Sequence, residues 1–141
     1  MAQQNHPANA LKSDAANMES LLQLQLGLLT VQFLAGMALN LIGTPSSSIA
    51  KAGTDLILLL HVLIAVGLVV TAIRIGRASE RTNIGSKLAR FAGASIGLAV
   101  LGGLLTMAAP LSNLWSYFMS IGFIAAIALY GRLYGLVLSK P

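Results

Sequence analysis

The sequence predicts an all-α, polytopic integral membrane four-helix bundle with both termini cytoplasmic, and three observations predict it. Of 141 residues, 56% are hydrophobic and 9% charged, with a mean hydropathy of +0.80; soluble domains carry nearer a quarter charged residues. Four apolar runs, at about 21–42, 54–76, 88–109 and 114–136, are each long enough to cross a hydrocarbon core at about 1.5 Å per residue. The basic residues gather in one connection, between the second and third runs.

Residues 1–12 are polar, contain Pro7 and show no hydrophobic period, so they read as a flexible tail with His6 in solvent. Neither a basic leader nor a short apolar core is present, so the start does not read as a cleavable signal peptide. Ser13-Asp14 offers a helix cap and a negative charge suited to a helix N-terminus. Along the first span, Gln25, Gln32, Gly36 and Gly43 fall on one face with Asn40 beside it. Amides avoid lipid and pair across helices, so this face should look into the bundle. Gly43-Thr44-Pro45 and the serines after it end the helix.

The second span carries the chain's most informative residue. Asp55 and Arg74 bracket 18 uncharged residues except for one ionisable side chain, His61. Lipid offers the polar atoms of such a group no partner, so an intramembrane ionisable residue is a functional-site candidate by default. Thr54, Ala65, Leu68, Ala72 and Gly76 share its face, which small residues keep open to another helix or a flat ligand. Arg74, Arg77, Arg81, Lys87 and Arg90 then outweigh the single acid Glu80. Gly85-Ser86-Lys87 lacks the upstream glycine and strand of a phosphate loop. A basic connection against lipid headgroups fits better, and the positive-inside rule makes it cytoplasmic.

The third span shows Ala89, Gly93 and Gly97 at four-residue spacing and, beside them, Ser95, Ala99 and Gly103. Two such ridges are helix-packing surfaces, because small residues let backbones approach closely. Residues 110–113 (Pro-Leu-Ser-Asn) make a tight outer turn with no basic residue. The fourth span has Trp115 and Tyr117 at one end and Tyr130 and Tyr134 at the other, the pattern of interfacial aromatic belts. This topology puts His61 about 10 Å below the outer boundary. Ungapped alignment of Asp55-Leu56 with Asn113-Leu114 sets His61 opposite Met119 and Arg74 opposite Arg132, a weak internal repeat.

What is absent narrows the classes further. With no cysteine, disulfides, thiolate metal sites, iron–sulfur ligation and cysteine nucleophiles are all excluded. The apolar part of each span holds no carboxylate, so proton-coupled antiport and rotary proton transfer lack their carrier. No HExxH, Ser-His-Asp set or acid cluster appears. The net charge of +5 sits between spans and does not form a nucleic-acid surface.

Gln32 and Gly36 in VQFLAGMALN, His61 in LLLHVLIAVGL and the third-span LGGLLT together resemble one four-helix half of haem A synthase, over most of residues 24–135. The resemblance implies a four-helix fold, with His61 as an axial ligand of haem b and Gln32 and Gly36 lining its site. The chain departs from that pattern in two places. Met119 or Ser120 stands in the region of the family's fourth-span histidine, and the 44–54 loop has no Glu.

Two readings of His61 compete. It is either a packed polar group bonded to Gln32, Asn40, a serine or a backbone carbonyl, or a haem ligand with Met119, a neighbouring subunit's His61 or an open position opposite. The leading expectation is the first: a non-enzymatic accessory or structural subunit of a plasma-membrane complex, without a cofactor, packing on itself or on other subunits through its Gly/Ala ridges. The alternative is a small b-type haem protein in electron transfer or haem handling, and a minimal haem-modifying enzyme ranks third.

Overall fold

The computed structural model describes residues 7–42, 45–108 and 113–139. Its elements are α1 (Pro7–Ile42), α2 (Ser48–Thr82), α3 (Ser86–Ala108) and α4 (Asn113–Leu138). All four are long and apolar enough to cross a membrane. Their outward faces carry large aliphatic side chains such as Leu41, Leu56, Leu63, Leu101 and Ile124, each more than half exposed, as lipid contact requires. His6, Gly43, Thr44 and the 110–112 part of the outer turn lie outside the described residues.

The helices overrun the apolar runs, and local chemistry explains where. α1 begins at Pro7 rather than at the Ser13-Asp14 pair, which lies inside the helix, so residues 7–12 are helical. Proline suits a first helical position, where its missing N–H would have had no partner. α2 begins at Ser48 because Ser47, in an extended conformation, caps it: the Ala50 N–H donates to Ser47 Oγ at 3.2 Å. It runs past Arg74, Arg77 and Arg81 to Asn83, which takes the left-handed conformation at φ 52°. The basic connection expected over 74–90 is therefore mostly helix, with only residues 83–85 between α2 and α3.

That short corner is tightly tied. Ser79 Oγ donates to the Ile84 carbonyl at 2.6 Å, and the Ile84 N–H donates to the Ser79 carbonyl at 3.2 Å. Gly85 sits at φ 61°, a left-handed backbone that calls for glycine, and a Cβ there would have to displace the Leu133 Cδ1 methyl, 2.6 Å away.

In cross-section the helices run in chain order, each packed on the next, with α4 closing on α1 and no packing across either diagonal among the described residues. Contact is heaviest within the hairpins α1–α2 and α3–α4. The core crowds toward the α2–α3 corner, where Met18, Leu22, Ile75, Ala92, Tyr130 and Leu133 are sealed from solvent. Toward the other end few residues are buried, Ala35 and Gly102 among them. Phe33 and Phe123 stack at 5.8 Å between α1 and α4. Tyr130 departs from expectation: instead of joining an interfacial belt it is wholly buried, while Tyr134 accepts a hydrogen bond from Gln23 Nε2 at 3.0 Å.

Candidate functional site

The site around His61 is built by two helices. On α1, Gln32 and Gly36 lie one turn apart and so share a face. α2 packs along that face, and Gln32 Nε2 meets His61 Nε2 at 3.0 Å. A hydrogen bond between two nitrogens needs the amide N–H as donor and an unprotonated ring nitrogen as acceptor, which places the ring proton on Nδ1. Gly36 packs against the ring: a Cβ there would stand 3.4 Å from His61 Cε1 and 3.9 Å from Nδ1, at ordinary van der Waals contact. Gln32, Gly36 and His61 therefore meet in the structure.

Other members of the amide face divide. Gln25 is fully buried and donates through Nε2 to the Leu68 carbonyl at 3.4 Å, a long bond. Asn40 is exposed and is not part of the site. On α2, Leu68 and Ala72 are buried about 10 and 16 Å along the helix from His61, Ala65 and Thr54 are half-buried, and Gly76 has open space over its Cα. Gln32 Oε1, His61 Nδ1, Gln25 Oε1 and Tyr130 Oη are buried with no hydrogen-bond partner among the described residues. Each such atom costs about 1–3 kcal/mol when left unsatisfied.

Met119 belongs to the other hairpin. Its Sδ lies 3.5 Å from where a Cβ on Gly103 would stand, and its backbone N lies 2.6 Å from a Cβ built on Gly102. The two hairpins therefore repeat one arrangement. His61 of α2 faces Gly36 of α1, and Met119 of α4 faces Gly103 of α3. The residue one turn before the glycine is Gln32 in the first hairpin and Ala99 in the second, so only the first has a polar partner to offer. Arg74 and Arg132, also paired by the repeat, are both exposed.

These positions bear directly on haem ligation. His61 Nε2 is taken by Gln32, its Nδ1 is turned toward Gly36, and Met119 sits on a helix that does not pack on α2. His61 and Met119 thus lie in separate hairpins, each against a glycine of the helix it packs on.

The two ridges of α3 have different neighbours. Ser95, Ala99 and Gly103 face α4, where a Cβ on Gly122 would lie 2.7 Å from the Ala99 N and 2.8 Å from the Ser95 O. Ala89 is buried in the core, but Gly93 and Gly97 have nothing within 4 Å of a Cβ. Sequence reasoning missed Gly102 and Gly122, the two points where α3 and α4 touch backbone to backbone. The glycine pair in LGGLL was visible, but only the packing register selects its first member.

Compared with family models, curated proteins and solved structures, the chain matches none of them.

Proposed function

We propose that this chain is a non-enzymatic accessory or structural subunit of a plasma-membrane complex, with both termini cytoplasmic. It packs on further copies of itself or on other membrane subunits through small-residue helix faces. The observation that carries the reading is the free space over Gly93 and Gly97. A glycine inside a helix costs roughly 1 kcal/mol relative to alanine. At Gly102 and Gly122 the close backbone of the facing helix accounts for glycine. At Gly93 and Gly97 nothing among the described residues does, and lipid chains need no glycine. Close approach of a helix from another chain does account for it.

His61 serves this reading as a packed polar group. Its bond to Gln32 fixes the register of α2 on α1, since a slip along the helix would leave both side chains unpaired in an apolar setting. The positive-inside rule sets the orientation, with Arg74, Arg77, Arg81, Lys87 and Arg90 on the cytoplasmic side.

The test is the mass of the particle extracted in mild detergent. A Cβ at Gly97 meets nothing within 4 Å among the described residues, so Gly97→Leu should leave the fold intact while the complex falls to smaller particles. Unchanged mass would mean that this ridge faces lipid, and would remove the basis of the proposal. A visible spectrum of the same preparation separates the haem reading: a Soret band would reverse the ranking.

A further inference from the structure

The outward face of α2 has a different character from the α3 ridge. Leu63, Val66, Val70, Ile73, Arg77 and Arg81 follow one another at steps of three and four, so they form a single stripe. The aliphatic members are 51–59% exposed. From Leu63 to Ile73 the stripe rises about 15 Å, the hydrocarbon depth of one leaflet. It then changes abruptly to guanidinium groups. Arg77, Glu80 and Arg81 line a shallow, open patch of surface at this end. Arg81 Nε donates to the Arg77 carbonyl at 3.4 Å, which draws its side chain back toward Arg77. Glu80, the only acid there, is engaged by Arg90 of α3 at 3.1 Å.

An aliphatic wall one leaflet deep, ending in two adjacent guanidiniums, has the shape and charge of a bound amphiphile in reverse. We propose that this stripe holds one anionic phospholipid, with its phosphate between Arg77 and Arg81 and an acyl chain along Leu63, Val66, Val70 and Ile73. Planar guanidiniums pair bidentately with phosphate oxygens. Glu80 repels the phosphate, and its bridge to Arg90 offsets that charge. The site lies on α2 and is separate from the Gly93–Gly97 ridge, so either proposal can fail without the other.

The experiment uses the full chain in an uncharged detergent, with phosphatidylglycerol, phosphatidylcholine of the same acyl chains, or inorganic phosphate added. Native mass spectrometry reads the retained lipid and thermal unfolding reads the stabilisation. Phosphatidylglycerol should be retained at one molecule per chain in preference to phosphatidylcholine, and inorganic phosphate should not reproduce the stabilisation. At about 1 kcal/mol per basic residue near a charged headgroup, Arg77→Gln with Arg81→Gln should weaken retention about 30-fold. Glu80→Gln should strengthen it, and Lys51→Gln, at the opposite end of α2, should leave it unchanged. Both arginines are exposed, so the double variant should keep its fold; if it does not, Glu80→Gln and the lipid comparison decide. Equal retention of the two lipids, full stabilisation by inorganic phosphate alone, or unaltered retention by the arginine variant or by Glu80→Gln would each overturn the site.

Discussion

Replacing Gly122 by alanine adds one methyl group at one of the two tightest places in the second hairpin. That methyl would lie 2.7 Å from the Ala99 N, 2.8 Å from the Ser95 O and 3.1 Å from the Ala99 Cα. The first of these is 0.7 Å inside the 3.4 Å lower edge of ordinary contact, and all three atoms are backbone. No side chain can swing aside, so α3 and α4 must move apart or rotate. A gap of about 0.5–1 Å forfeits a quarter to a half of the dispersion energy of each contact that it opens. Overpacking of this kind costs about 1–3 kcal/mol. Gly102→Ala, 2.6 Å from the Met119 N, should behave alike. Because both relieve one interface, the double variant should cost less than the sum. Gly97→Ala is the control, since nothing lies within 4 Å and the helix gains up to about 1 kcal/mol. Denaturant or thermal unfolding of detergent-purified protein, measured under conditions that keep it monomeric, reads all four. Gly122→Ala unfolding at the wild-type midpoint would refute the close approach of α3 and α4.

Three further predictions concern other parts of the chain. Gln32→Leu strands the His61 nitrogens in an apolar setting and should cost about 1–3 kcal/mol, whereas His61→Leu combined with Gln32→Leu should lose less than the two singles together; additive losses would show that the pair does not interact. Tyr130→Phe removes a buried hydroxyl without a partner among the described residues, so unfolding should be unchanged or shift upward, and a loss of more than about 1 kcal/mol would reveal an acceptor for it. The chain has no cysteine, so single cysteines report topology: Arg81→Cys should label from the cytoplasmic side and Ser46→Cys from the outside, Ser79 being too buried to serve. Labelling with the sides exchanged would invert the bundle.

The sequence alone determined the number of helices and their exposure to lipid, because both follow from one physical requirement. Backbone polar groups have no partner in hydrocarbon except one another, so eighteen or more apolar residues in a row are stable there only as a spanning helix. The sequence set Gln32 and Gly36 on one face of the first span and left Gln32 as one of several partners open to His61; packing of α2 on α1 decided between them.

Helix ends were less legible, since capping outlasts hydropathy. Ser47 and Asn83 extend α2 beyond its apolar run, and Pro7 starts α1 well before its own. Tyr130 reads in sequence as an interfacial aromatic, and only the packing of α4 against its neighbours buries it. The α3 ridges make the same point at finer scale. A small residue permits close approach on whatever side it faces, and composition does not say which side is occupied. Tertiary structure put α4 against Gly102, left open space over Gly93 and Gly97, and seated Met119 and His61 in separate hairpins. Those choices depend on the rotation of each helix about its axis, which is set by side chains from other helices and by no local signal in the chain.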